Sequence, residues 1–405
     1  MLRKIVFWLH LTLGLAASLA VAVMCLTGAA LAFEKDLIAW AERDARTVQP
    51  ATANQPHLPL EDVLQRVSAA RPDLRVNSIA IARDPRTALA LNLPGNAVIH
   101  ANPYTGEVRE AHAPRMRAFM RTMIAWHIRL NFAPGPENLG RKLNSAANLI
   151  LVFLGISGLV LWWPRIWSAR VLRPSLWFVR GARGRARDWN WHNVIGFWTL
   201  PVLIVLAASG VVLSYRWAGD LVFRLAGESP PSAAGNTPRP PAPPSPASVT
   251  ALPSAPPQNA RAGSPTLTTL VAAVQQTFPT WDLLTVRFSP PLRGTPVLND
   301  TVVVAVRSSG SPPFAQSTLT LDTKTGSVLR TEAFADLSDG TRARRWLRFL
   351  HTGEAFRAPG QLVAGVACLG GLLLVWTGSA LAWRRFFGRT VQLDPSAPAP
   401  ALSEP

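Results

Sequence analysis

His10 and His192 open two matching apolar runs, HLTLG and HNVIG, and each is followed four residues later by a glycine, Gly14 and Gly196. Further along the same runs stand a small hydroxyl residue and a second glycine, Thr27-Gly28 in one and Ser209-Gly210 in the other. The separation from histidine to that second glycine is the same in both, so the chain contains an internal repeat. Residues four apart share one face of a helix. A histidine at a membrane boundary with glycine one turn along that face is suited to ligate a haem. The imidazole reaches the iron, and the missing Cβ leaves room for the flat porphyrin.

Two further histidines extend the pattern. His127 lies in Trp126-His127-Ile128-Arg129, and His351 ends Trp346-Leu347-Arg348-Phe349-Leu350-His351. Each closes an aromatic-basic amphipathic segment and is followed by an apolar stretch with another hydroxyl–glycine pair, Ser157-Gly158 or Thr377-Gly378. Neither has a glycine four residues on; Asn131 and Ala355 stand there instead. By depth, His10 pairs with His192 near one membrane face and His127 with His351 near the other. Two axial pairs would hold two haems, separated by roughly a membrane thickness. The bland alternative is that each histidine touches lipid headgroups. Zinc fits less well, because no third ligand is spaced on the same helix. His57, His100 and His112 have no counterpart in the second repeat and read as solvated or packing residues. No residue is singled out as catalytic.

The elements that must position these groups are membrane helices. Hydrophobic residues make up 48% of the chain and charged residues only 16%. Four stretches, 5–33, 143–163, 194–215 and 361–383, each approach the ~20 apolar residues that span a bilayer. The short connection after the second stretch holds Arg165, Arg170, Arg173, Arg180, Arg183, Arg185 and Arg187 against Asp188. Arg3 and Lys4 precede the first stretch, and Arg384, Arg385 and Arg389 follow the last. Short basic loops stay in the cytoplasm, so both termini are expected there, with two long segments facing outward. A cleaved signal peptide is disfavoured. The first apolar stretch exceeds the ~7–15 residues of such a segment, and it copies the third stretch.

The net charge of +18 is largely this topology signal together with basic outer residues that suit lipid headgroups, so nucleic acid is not implied. Cys25 and Cys368 lie within apolar stretches; no CxxCH or CxxC is present, and both read as helix-packing residues.

The outer segments repeat each other. A helical pattern at 60–67 precedes short β-like runs and the turn Asn102-Pro103-Tyr104-Thr105-Gly106. A second helical pattern at 266–278 precedes similar runs and the turn Asp322-Thr323-Lys324-Thr325-Gly326. The expected architecture is a membrane α-helical bundle of four transmembrane helices in two pseudo-symmetric halves, with two small periplasmic α+β domains. Its parts are transmembrane helix 1 (1–33), a first outer domain (34–114), an amphipathic helix with transmembrane helix 2 (115–163), and a basic loop (164–191). Transmembrane helix 3 (192–216) follows, then a linker (217–265) that is Pro-rich and disordered from 228. A second outer domain (266–341), an amphipathic helix with transmembrane helix 4 (342–385), and a cytoplasmic tail (386–405) complete it.

The layout resembles the PepSY-associated transmembrane-helix family of iron-regulated membrane proteins. The resemblance rests on WLHLTLGL, the LTG-type helix ends, the turns NPYTGEV and DTKTGSV, and the segment LHTGEAFRAPGQ. It implies PepSY-like outer domains and a dihaem b-type enzyme of the bacterial inner membrane, a transmembrane haem-dependent reductase in which electrons pass from the cytoplasmic side to a periplasmic ferric siderophore. Carried over, it places haem ligation on His10, His127, His192 and His351, and it leaves Arg129, Arg141, Arg348 and Arg357 as propionate or substrate contacts. No flavin-reductase segment is recognisable, so a quinol or a reduced cytoplasmic protein is the implied donor. Two other readings compete: a membrane-anchored PepSY-type regulatory or binding protein without haem, and a transporter. The transporter is weakened by equal orientation of the repeats and the lack of acidic residues in the helix centres.

Overall fold

The computed structural model describes residues 1–50, 52, 55–110, 113–133, 138–231, 265–293 and 300–387. In chain order they form α1 (Leu2–Leu31), α2 (Glu34–Ala41), α3 (Arg43–Arg46), α4 (Leu60–Ala70), β1 (Arg75–Ala82), β2 (Leu89–Asn92), β3 (Val98–Ala101) and β4 (Val108–Glu110). Then come α5 (Pro114–Arg129), α6 (Leu139–Trp162), α7 (Ala169–Leu176), α8 (Gly184–Ser214), α9 (Arg216–Leu225) and α10 (Leu267–Thr277). Strands β5 (Trp281–Arg293), β6 (Thr301–Ser308), β7 (Gln316–Asp322) and β8 (Val328–Glu332) precede α11 (Asp339–His351) and α12 (Arg357–Phe387). The chain divides into two compact units, one of residues 1–29, 126–208 and 365–405, the other of residues 30–125 and 209–364.

The first unit is a helical bundle. α1, α6, α8 and α12 are each long and apolar enough to cross a membrane, and the chain is a multi-pass membrane protein. Small residues set the helix contacts, as expected where lipid tails offer no hydrophobic contrast. Gly155 on α6 faces Leu200 and Ile204 of α8, and Gly370 on α12 faces Ile195 and Thr199 of α8. Between α1 and α12, Cys25 packs on Gly371 and Cys368 on Gly28. Asn148 Nδ2 donates to Ala207 O across α6 and α8 at 3.0 Å.

Helix α8 begins at Gly184, ten residues before the apolar stretch that the sequence marks. The extra turns are polar, yet their groups are answered locally. Asp188 is fully buried and takes Arg187 at 2.8 Å and Arg384 at 3.1 Å. Asn190 donates to Pro174 O and Trp177 O. The connection expected as a plain basic loop therefore contains α7 and the start of α8. Likewise α9 occupies residues 216–225, where a linker was expected. The Pro-rich stretch at 232–264 lies outside the described residues.

In the second unit the two outer segments form a single eight-stranded antiparallel sheet, in the order β4-β3-β2-β1-β5-β6-β7-β8. The two small outer domains expected from the sequence share this sheet: their leading strands β1 and β5 pair, with Ile79 opposite Val286. Each would otherwise present an unpaired edge, and joining them removes both edges. The core shows why the chain makes strands here. Alternate residues Val302, Val304 and Val306 on β6, Leu319 and Leu321 on β7, and Leu89 and Leu91 on β2 all enter one apolar cluster. α4 and α10 cover that face with Leu60, Val63, Leu64 and Val67 and with Leu267, Leu270, Val271 and Val274. The two helices are tied by Glu61, which accepts from Thr268 N at 2.8 Å and Thr268 Oγ1 at 2.6 Å. Both hairpin turns are built alike. Asn102 and Asp322 accept backbone N–H groups within the turn, and Gly106 and Gly326 adopt positive φ.

The other sheet face carries a buried ionic cluster. Ile99 and Ala101 on β3 point into the core, so His100 between them points away. There it meets Glu42, which is fully buried and held by both Nε and Nη2 of Arg117 on α5, the latter at 2.8 Å, with Arg46 at 3.4 Å. His100 Nε2 stands 3.5 Å from Glu42, and neither ring nitrogen makes a hydrogen bond among the described residues. Burial alone would raise the Glu42 pKa, but Arg117 and Arg46 hold it below the usual carboxylate range. Burial, aided by the two guanidiniums, pushes the His100 pKa below 6.5.

Two outcomes are expected. Arg117→Ala leaves Glu42 buried without its bidentate partner and should cost ~3–5 kcal/mol, read as a lower thermal midpoint of the full chain. His100 is neutral in the fold, whereas the unfolded chain protonates it near 6.5. Its contribution is therefore full above that pH and falls as pH drops, by up to ~1.4 kcal/mol per unit, until the folded imidazole titrates. Hydrogen exchange at β3, corrected for intrinsic rate, should lose protection on acidification, and His100→Gln should flatten that slope.

Candidate functional site

The four histidines of the repeat all turn toward another helix, and all do so through the same ring atom. His10 Nδ1 on α1 lies 2.8 Å from Ser157 Oγ on α6. His192 Nδ1 on α8 lies 3.0 Å from Thr377 Oγ1 on α12. His127 Nδ1 at the end of α5 lies 2.9 Å from Thr27 Oγ1 on α1. His351 Nδ1 at the end of α11 lies 3.2 Å from Ser209 Oγ on α8. The hydroxyl–glycine pairs that recur in the sequence are thus the partners of the histidines. Sequence reading registered them as part of the repeat but gave them no role, because no spacing within one helix reveals a contact made across two.

The direction of these bonds follows from the hydroxyls. Thr27 donates its proton to Val23 O at 2.6 Å, Ser157 to Phe153 O at 2.7 Å, and Thr377 to Leu373 O at 2.8 Å. A hydroxyl has one proton to give. Each oxygen therefore accepts from the imidazole, whose Nδ1 carries the proton, and the lone pair of the neutral ring sits on Nε2. That is the tautomer an axial iron ligand needs, with its other nitrogen held by an acceptor.

The glycine after each hydroxyl lets the ring lie against the helix. A Cβ on Gly28 would stand 3.3 Å from His127 Cε1, one on Gly378 3.3 Å from His192 Cε1, and one on Gly158 3.5 Å from His10 Cε1. Gly14 and Gly196 are different. A Cβ there would meet only Leu154 Cδ2 at 3.7 Å and Leu374 Cδ2 at 3.6 Å, ordinary contacts. Helix packing does not require these two glycines. His127 is held further by its backbone, whose carbonyl accepts from Asn144 Nδ2 at 2.7 Å.

On α1, His10 and Thr27 are seventeen residues apart, about 25 Å of helix rise. α1 therefore supplies a histidine at one level and receives one at another. The same spacing separates His192 and Ser209 on α8.

The four arginines divide. Arg129 Nε donates to Phe132 O, and Arg357 donates to Ser311 O from a residue with φ of 55°. Arg141 and Arg348 are exposed. Arg129 and Arg357 belong to equivalent joints between an amphipathic and a membrane helix. In one joint Gly140 approaches Arg129 O, and in the other Gly360 approaches Gly353 O. Of the remaining histidines, His57 is exposed and meets Tyr104 edge-on, His100 is in the ionic cluster, and His112 lies outside the described residues.

The PepSY-associated TM region family matches residues 7–385. The chain belongs to that family. The match begins three residues before His10 and ends beyond Thr377, so all four histidine–hydroxyl contacts fall within this PepSY-associated region. No protein of curated function matches the chain.

The glycines should separate by substitution. A Cβ on Gly140 would lie 2.1 Å from Arg129 O and one on Gly360 2.2 Å from Gly353 O. Gly140→Ala and Gly360→Ala are expected to lose about 1–3 kcal/mol or more, whereas Gly14→Ala and Gly196→Ala should leave the thermal midpoint unchanged.

Proposed function

We propose that this protein is a dihaem b-type oxidoreductase of the bacterial inner membrane. It would carry electrons from the cytoplasmic side to a periplasmic ferric siderophore and release ferrous iron for uptake. The observation that supports this most strongly is the common arrangement of the four histidines, each with Nδ1 at an interhelical hydroxyl, and with Nε2 as the basic atom at His10, His127 and His192. A histidine serving as a headgroup contact has no need of a buried acceptor on a neighbouring helix.

In this reading His10 and His192 hold one haem b, with Gly14 and Gly196 leaving space for its plane. By the symmetry of the repeat, His127 and His351 hold the second. Bound haem supplies reversible one-electron chemistry. The chain's own residues supply the rest. Ser157 and Thr377 keep the imidazole protons on Nδ1, and the apolar helices exclude water from the ligand level. The arginine-rich loop between α6 and α8 supports a topology with both termini in the cytoplasm. A quinol or a reduced cytoplasmic protein would donate the electrons.

Basic residues of α5 and α11, with Arg129, Arg141, Arg348 and Arg357 at or near the following joints, would draw an anionic ferric chelate. Reduction is a sufficient means of release. Hard ferric iron binds oxygen chelators tightly, and ferrous iron binds them far more weakly, so one electron replaces destruction of the chelator.

The purified, haem-supplied protein should contain two b-type haems by pyridine haemochrome and give a reduced-minus-oxidised b spectrum. His10→Ala, His192→Ala, His127→Ala and His351→Ala should each lower the count to about one. Each should also abolish ferrous iron capture from a ferric siderophore across proteoliposomes. A folded wild-type protein that remains colourless would sink this reading and return the chain to a PepSY-type binding or regulatory role.

A further inference from the structure

We infer that Thr27, Ser157, Ser209 and Thr377 are positioning residues for the four histidines. In this role they fix the imidazole tautomer and set the ferric–ferrous balance at each level. The inference rests on the haem reading for its redox part only; the tautomer part stands on the hydrogen bonds themselves.

The argument begins with the hydroxyl. Within a helix, serine and threonine bond back to the carbonyl four residues earlier. At Thr27, Ser157 and Thr377 that bond is made, so the hydroxyl proton is spent inside its own helix. The oxygen lone pairs then face outward as acceptors. A neutral imidazole has one N–H and one lone pair. Set against an acceptor-only oxygen inside an apolar bundle, the ring gains a bond with its proton on Nδ1. With the proton on Nε2 it would instead set two acceptors against each other. The hydroxyl thus selects the tautomer whose Nε2 is basic before any ligand arrives.

The adjacent glycine completes the device. At Gly28 and Gly378 a side chain would press on the imidazole Cε1, at 3.3 Å from the first added carbon, and at Gly158 it would touch His10 Cε1 at 3.5 Å. Hydroxyl and glycine together hold the ring flat and at hydrogen-bond distance from the neighbouring helix. The hydroxyl–glycine pair stands beside histidine four times in the chain, on four different membrane helices.

An acceptor on the distal nitrogen makes a ligating imidazole more basic and orients it. A more basic ligand favours the ferric state. Removing one hydroxyl should therefore favour the ferrous state at that level alone. Thr27→Val and Thr377→Val keep the side-chain shape and delete the acceptor. Each is expected to move the reduction equilibrium of one haem about tenfold toward ferrous, which for a one-electron couple is ~59 mV, while the other haem keeps its wild-type potential. Thr27→Ser and Ser157→Thr restore an acceptor and should behave as wild type.

The haem-free chain gives a second readout. Imidazole ¹⁵N NMR of the detergent-solubilised full-length protein should show Nδ1-protonated His127 and His192 in the wild type. In Thr27→Val and Thr377→Val, respectively, the tautomers should be mixed. Unchanged tautomers and potentials within threefold of wild type in both valine variants would overturn the inference. A wild type that binds no haem overturns the functional reading instead and leaves the NMR comparison to decide this one.

Discussion

An imidazole N–H facing the interior of a membrane bundle must find an acceptor, because lipid offers none. The bundle depends on how that requirement is met. Thr27, Ser157 and Thr377 are buried and already bonded to their own helices, so they can only accept. Each bond joins a histidine to a helix other than its own: α1 to α6, α8 to α12, and the end of α5 to α1. The glycine beside each hydroxyl is a consequence of the same requirement, since the ring reaches its acceptor only if the helix surface is flat at that point. What reads in the sequence as a recurring helix-end motif is, in the fold, half of a contact.

The sheet meets its own constraint by a different route. Four short strands leave a long first strand with an open edge, and the duplicated segment has the same edge. Pairing β1 with β5 satisfies both and merges two apolar faces into one core beneath α4 and α10. The reverse face holds the Glu42 cluster, which binds Arg117 near the start of the helix that ends in His127. A carboxylate this buried persists only because its lone pairs are filled. The first turns of α5 are therefore fixed by charge.

Much of this was legible beforehand, and the physical reasons differ by element. β7 is legible because Leu319 and Leu321 alternate with polar residues and its turn carries Asp322 and Gly326. The four membrane helices are plain from apolar length. Their polar extensions are not: α8 starts at Gly184 because Asp188 finds Arg384 across the sequence, a pairing that local pattern does not contain. α9 is hidden for a similar reason, since Arg216–Leu225 is too short for a span and too polar for a core strand. The continuous sheet was missed because strands read one at a time show which face is apolar but not which edge is open. Within the site, the histidines stood out through repetition, and the hydroxyls were visible without their purpose.

The seventeen-residue interval on α1 is the firmest geometric fact about how the levels relate. It sets a rise of about 25 Å, most of the ~30 Å hydrocarbon thickness. One flat group cannot be reached by histidines at both heights, so a chain that places ligand-competent imidazoles at both needs two such groups or none. α1 contributes His10 at one height and the acceptor Thr27 at the other. A shift of α1 along its axis would lengthen the bonds to Ser157 and His127 together. The two levels are thereby locked in register by one rigid helix. Duplication supplies the same arrangement a second time on α8, through His192 and Ser209. Fixed spacing is what a relay between two membrane faces needs and what a headgroup anchor does not.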